Sequence, residues 1–187
     1  MTGRGAFLGR EEEVARLLTA LEADRPVVVT VEAGVGKTRL VREALARSGR
    51  VQHEGGGFAT LDWTPYLALE RAVGPVTGDG ARVARTVERR VGPDVLFMDD
   101  VQWVDGETRA VLELLGARVE LVMGVRIGDP GTHRALALAE RLRAERVDLD
   151  GLGEGDAMGL VRALRPDLVA FTVAGIVARA GGNPLYL

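Results

Sequence analysis

The chain of 187 residues suits one α/β domain with the beginning of a second, and its 47% hydrophobic and 27% charged residues predict a sizeable core. A net charge of −3 gives no general reason to expect DNA, RNA or an anionic membrane as direct ligand. The absence of cysteine excludes a disulfide scaffold and a thiolate metal site, and His53 and His133 are too far apart in sequence to suggest a histidine site.

Val14, Leu17, Leu18 and Leu21 recur at helical spacing across residues 10–21, and Glu11, Glu12 and Glu13 crowd the first turn, where the helix dipole favours acid. Pro26 introduces Val27-Val28-Val29-Thr30-Val31, a β-branched run of the kind buried on both faces of a parallel sheet. After a glycine loop, residues 38–48 predict a helix with Leu40, Val41, Ala44 and Leu45 inward and Gly49 as its stop. Residues 51–81 are the least legible. There Gly55-Gly56-Gly57 reads as a loop or abrupt turn and residues 65–73 as a helix, with breaks at Gly74-Pro75 and Gly78-Asp79-Gly80. A helix over 81–91 precedes a second buried strand, Val95-Leu96-Phe97-Met98-Asp99, and a helix over 106–115 takes Asp105 as N-cap. Residues 119–125 read as a third strand, 132–145 as a helix and 147–149 as a short edge strand. Beyond Glu154 helix follows helix, over 156–164 and 167–180. The chain stops in apolar sequence at Leu187, which reads as the edge of something larger.

Lys37 is the only lysine; every other basic side chain except the two histidines is arginine. It stands in Gly34-Val35-Gly36-Lys37-Thr38, where a compact ammonium is hardest to exchange for a planar guanidinium. A strand, a glycine loop and a helix with Lys-Thr at the junction make the P-loop arrangement. Glycine lets backbone N–H groups approach phosphate oxygens, and the helix N-terminus adds partial positive charge. Ala33, Gly34, Val35, Gly36, Lys37, Thr38 and Arg39 are then the expected nucleotide-binding run, with Lys37 bridging the β- and γ-phosphates and Thr38 offering its hydroxyl to Mg²⁺. The pattern G-x-x-x-x-G-K-[ST] wants glycine at position 31, and Val31 stands there. A β-branched residue resists positive φ, so the first turn is expected to differ and binding to be weaker.

Asp99 and Asp100 close the second buried strand, at the edge where α/β sheets bind ligands. Asp99 is expected to hold Mg²⁺ through water, and Asp100 to orient or polarise the attacking water. Lys37 and Asp99, brought together from two neighbouring β-elements, are expected to grip opposite sides of one triphosphate. The plainer alternative makes the glycines a tight turn and the aspartates loop or capping residues. The expected fold is α/β: a P-loop NTPase core over 1–150, with a mostly parallel sheet flanked by helices, followed by the start of a helical lid over 151–187.

Phe7-Leu8-Gly9-Arg10-Glu11, the loop ending in Lys37-Thr38, the run from Leu96 through Asp99-Asp100-Val101-Gln102-Trp103-Val104-Asp105, and Ala180-Gly181-Gly182-Asn183-Pro184-Leu185 occur in that order. Together they resemble the ATPase domain of the signal-transduction (STAND) P-loop proteins, above all the module inside large LuxR-type and actinobacterial antibiotic-pathway transcription regulators. The resemblance spans nearly the whole chain. It implies that Phe7, Leu8 and Arg10 lie beside adenine, that Arg126 is a sensor arginine approaching the γ-phosphate with a catalytic part beside Lys37 and Asp100, and that Pro184 packs on the base. Plainer roles exist for each: Phe7 and Leu8 can staple the first helix, Arg126 can be a solvated loop residue, and Gly181-Gly182-Asn183-Pro184 is a good helix terminator. Trp103 reads as a packing anchor. The interval from Thr38 to Asp99 is short beside the family, and family members continue for several helices past Gly-Asn-Pro.

The function so implied is an ATP/ADP switch with slow Mg²⁺-dependent hydrolysis, inside a larger signalling or transcription-regulatory protein. The resemblance implies sensor and DNA-binding regions outside the chain as partners, and a nucleotide-dependent homo-oligomer is compatible with it. It implies no direct nucleic-acid contact by this domain. No apolar stretch approaches the roughly 20 residues that cross a bilayer, and Met1-Thr2-Gly3-Arg4-Gly5 lacks a signal-peptide core, which points to the cytoplasm. A binding module without significant hydrolysis and a P-loop small-molecule kinase stay open as alternatives.

Overall fold

The computed structural model describes residues 7–187; the stretch 1–5, read above for a signal peptide, lies outside them. In chain order the elements are α1 (Glu11–Glu22), β1 (Val27–Val31), α2 (Lys37–Ser48), β2 (Gln52–Gly56), α3 (Leu67–Val73), α4 (Gly80–Val91) and β3 (Val95–Asp99). They continue with α5 (Gly106–Leu115), β4 (Glu120–Arg126), α6 (Thr132–Arg141), β5 (Glu145–Leu149), α7 (Glu154–Leu164) and α8 (Ala170–Ala180). Short 3₁₀ turns follow β3 (Val101–Trp103) and α8 (Pro184–Tyr186).

The strands form one five-stranded sheet in the order β2-β3-β4-β1-β5, and every pairing is parallel. Parallel neighbours need crossover connections, so helices cover both faces and the central strands are apolar on both sides. Successive residues then feed opposite cores. Val28, Leu96, Met98, Leu121 and Met123 join the core under α3, α4, α5 and α6. Val27, Val29, Val95, Phe97 and Val122 join the core under α1 and α2. A third, smaller cluster ties Leu152, Leu160 and Val161 to Val173 and Val177, packing α7 on α8.

Four expectations are corrected. Gly55 and Gly56 are not a turn but the end of strand β2. A Cβ at Gly55 would collide with the Ala68 carbonyl of α3, and one at Gly56 would lie 2.6 Å from the Asp99 carbonyl, so the glycines mark close approach rather than chain reversal. The helix read over 132–145 ends at Arg141, because Arg143 takes φ 51° and Glu145 N–H donates to the Pro26 carbonyl, opening β5. The last helix starts at Ala170, not Asp167. Finally, β1 and β3 are not neighbours: β4 runs between them.

Candidate functional site

β1 ends at Val31 with strand backbone, pairing with Arg126 and Leu149 and accepting a hydrogen bond from Ile127 N–H at 2.9 Å. The valine is therefore still strand, and the chain turns after it. Gly34 and Gly36 carry φ of 85° and 108°, values that suit glycine, and α2 starts at once on Lys37. A helix leaves its first-turn N–H groups without intrahelical partners, and such an N-terminus favours anions.

Lys37 is only 7% exposed, and its ammonium reaches the last residue of β3, Asp99 Oδ1, at 2.7 Å and the residue after it, Asp100 Oδ1, at 2.5 Å. Thr38 Oγ1 donates to Asp99 Oδ2. Arg126, at the end of β4, approaches Asp100 Oδ2 at 3.4 Å and Asp129 at 3.8 Å. Burial raises the Asp100 carboxyl, but the Lys37 ammonium hydrogen-bonded to it, with Gln102 and Arg126 beside it, holds it below the usual carboxylate range. Asp100 itself sits at φ 48°, a backbone conformation that aspartate tolerates better than most residues and that turns the chain sharply off β3.

A cleft of about 590 Å³ opens over this cluster, lined among others by Gly34, Gly36, Lys37, Thr38, Asp99 and Arg126. That volume lies in the range of small-molecule sites. On the other side of the loop, Phe7, Leu8, Arg10, Val35, Arg39 and Pro184 border a narrow apolar cavity of about 50 Å³. Arg10 is buried there, donating to Glu13 at 3.0 Å and to the Asp150 carbonyl at 2.5 Å, and the guanidinium of Arg39 stands 5.9 Å from the Phe7 ring centre. The expected residues thus fall into a polar cleft and an apolar pocket on the two sides of residues 34–36. Ala33 borders neither; its carbonyl is turned to Asn183. Trp103 is half-buried on the turn after β3, and Gly57 packs on its backbone.

Two residues to which the sequence reading gave no role complete the site, Gln102 of the Gln-Trp-Val-Asp run and Gly124. Gln102, almost fully buried, accepts from Arg126 N–H at 3.1 Å and donates to Asp100 at 3.3 Å and Asp129 at 3.2 Å, joining the β3 and β4 ends. Gly124 lies on β4 between the two halves of the site. A Cβ there would stand 2.5 Å from Asp99 Oδ1 and 2.8 Å from Lys37 Cδ. Its missing side chain is what lets Lys37 of α2 and Asp99 of β3 meet across the intervening strand. A lone glycine inside an apolar strand was the available signal.

No protein-family model matches the sequence, and no curated protein matches it. Solved structures do. A STAND protein with a tetratricopeptide repeat sensor from Pyrococcus horikoshii aligns at TM-score 0.58 and 20% identity, over 95% of this chain and 28% of its own. The Orc1 protein of Aeropyrum pernix, solved in complex with DNA, aligns at TM-score 0.69 and 17% identity, over 97% of this chain and 58% of its own. A Walker-type ATPase of Pyrococcus abyssi aligns at TM-score 0.61 and 16% identity, over 98% of this chain and 66% of its own. The chain has the P-loop ATPase fold. In that fold the polar cleft lies at the C-terminal ends of β1 and β3, on the ligand-binding edge of an open parallel sheet. Among the described residues no helix is long and apolar enough to cross a membrane.

Proposed function

We propose that the chain is an ATP/ADP-binding module with slow Mg²⁺-dependent hydrolysis, built into a larger regulatory protein. The observation that carries this is the convergence of Lys37, Thr38, Asp99 and Asp100 at the first turn of α2, under a cleft of about 590 Å³.

In this proposal the N–H groups of residues 34–39 and the Lys37 ammonium bind the phosphate chain, and Lys37 exchanges its carboxylate partners for phosphate oxygens. Thr38 and Asp99 offer a hydroxyl and a carboxylate to Mg²⁺, a donor set that suits a small hard cation completing its shell with water and phosphate oxygens. Mg²⁺, when bound, offsets the negative charge of the β- and γ-phosphates. Asp100, ionised at neutral pH, orients a water for attack on the γ-phosphorus, and Arg126 steadies the departing charge. Phe7, Leu8, Arg10 and Pro184 take the adenine in the apolar pocket.

Residues 1–150 then form the nucleotide-binding core and 151–187 the start of a lid. ATP and ADP favour different placements of the two through differential contacts at Pro184 and Arg126. The likeness to the STAND neighbour, with its repeat sensor, favours partners in other domains of a longer chain. The LuxR-like regulator in the cytoplasm is proposed from the sequence motifs.

Calorimetry with ATP and ADP, with and without Mg²⁺, tests the proposal. We expect binding by the wild type, its loss in Lys37→Ala, and ADP release from ATP that disappears in Asp100→Asn while binding remains. Failure of the wild type to bind either nucleotide would overturn it.

A further inference from the structure

The segment that follows α8 lies across the back of the phosphate loop. Gly181 and Gly182 carry φ of 55° and 79° and end the helix, so the chain turns back toward the core. Two hydrogen bonds then tie it down on opposite sides. Leu152 N–H, on the segment entering α7, donates to the Gly182 carbonyl at 2.7 Å. Asn183 Nδ2 donates to the Ala33 carbonyl at 2.9 Å. The same side chain accepts Leu185 N–H at 3.0 Å through Oδ1, so one orientation of the amide satisfies both partners. Leu185 completes the contact. A Cβ on Gly34 would lie 2.9 Å from Leu185 Cδ2 and 3.0 Å from Asn183 Oδ1, so the loop and this strap touch backbone to side chain.

We propose that Asn183 is a positioning residue for the phosphate loop, which couples the placement of the strap to phosphate binding as distinct from base binding. The physical reason lies in one peptide plane. In a trans peptide the C=O of Ala33 and the N–H of Gly34 point in opposite directions. A donor that holds the Ala33 carbonyl from outside therefore aims the Gly34 N–H the other way, and Gly34 lines the polar cleft. With φ of 85° and no side chain, Gly34 has little else to hold its peptide in one orientation. Pro184, the next residue, borders the apolar pocket instead. Adjacent residues of one strap thus address the two ends of a nucleotide, Pro184 the base and Asn183 the phosphate loop. Linkage makes the effect mutual: phosphate that favours the held loop also favours the docked strap.

The inference rests on the nucleotide site proposed above, and the experiment separates the two. Asn183→Asp keeps the oxygen that accepts Leu185 N–H and removes the donor to Ala33. With the 187-residue chain, ADP and adenosine affinities are measured by calorimetry for the wild type, Asn183→Asp and Pro184→Ala. Asn183→Asp is expected to weaken ADP roughly fivefold, the fold-change equivalent to one net hydrogen bond of about 1 kcal/mol, and to leave adenosine unchanged. Pro184→Ala is expected to weaken both ligands alike. Hydrogen exchange supplies a readout that a merely structural role would not move: ADP slows exchange at residues 181–187 in the wild type and not in Asn183→Asp. Asn183→Ser is measured beside it: uncharged, still able to cap the 3₁₀ turn and too short to reach Ala33, it carries the same expectation, and an ADP loss confined to the charged Asn183→Asp overturns the role of Asn183. Unchanged ADP affinity in a wild type that binds ADP, or an equal loss of adenosine, overturns the role of Asn183 alone. A wild type that binds no nucleotide overturns the site and this inference together.

Discussion

Gly124 is the residue on which the meeting of Lys37 and Asp99 depends, although it carries no side chain of its own. Adding one methyl there would force it against Asp99 Oδ1 and the Lys37 stem, and either side chain could yield only by leaving the position in which the two meet. Gly124→Ala is therefore expected to lower ATP affinity by at least roughly tenfold while the chain stays folded, since alanine is acceptable in a strand interior. Titration calorimetry alongside circular dichroism checks this; undiminished affinity in a folded variant would show that the site tolerates the methyl. Gln102 works at the same scale in the opposite sense, since its buried amide is fully engaged by Arg126, Asp100 and Asp129. Lys37, Thr38, Asp99 and Asp100 were legible because their chemistry shows in their own side chains. Gly124 and Gln102 were not, because their part depends on what stands next to them.

At the scale of elements, two local devices can be measured. The Asp105 carboxylate caps α5, accepting Thr108 N–H at 2.7 Å and Thr108 Oγ1 at 2.6 Å in a buried setting. Asp105→Ala is expected to cost about 1–2 kcal/mol, read as a lower urea midpoint with an unchanged slope. The second device joins β1 to the edge strand β5, where Thr30 Oγ1 donates to the Asp148 carboxylate. Burial alone would raise the Asp148 carboxyl, but Thr30 and Arg146 outweigh it and hold it below its ordinary value. A carboxyl lowered on folding contributes stability in full above its unfolded value of about 3.9, and loses it as the pH falls through the lower folded value. Thr30→Val is therefore expected to destabilise by about 1 kcal/mol at pH 7, a modest figure because Asp148 is exposed. The gap to the wild type should narrow as the pH falls from about 4 through that lower value. Denaturation of both proteins at pH 7 and at successively lower pH reads it, and a gap that does not narrow would remove the carboxylate from the account. The Asp105 cap of α5 and the apolar run of β1 could be read in advance. The start of β5 and the pair across β1 and β5 could not, because both depend on partners far away in the chain.

For the whole molecule, the three apolar clusters differ in extent. The sheet strands contribute to two large cores, whereas α7 and α8 share a small cluster around Leu160, Val161, Val173 and Val177. Local opening follows buried contact, so amides of α7 and α8 are expected to exchange with deuterium well before those of β1, β3 and β4. Equal protection across the chain would mean that the helical end opens only together with the sheet. That difference in stability is also what a moving lid would need.

By itself the sequence determined the strand–loop–helix run with its single lysine, the double aspartate ending an apolar strand, and the alternation of strands and helices that makes a parallel α/β sheet. These are local patterns, and chain sterics, side-chain period and charge set them without reference to distant residues. Tertiary structure alone decided that β4 separates β1 from β3, that Gly55 and Gly56 belong to a strand, and that Asn183 reaches Ala33. Each of these rests on what stands beside a residue in space. A glycine has no side chain to announce a close neighbour, and a backbone carbonyl looks the same at every position.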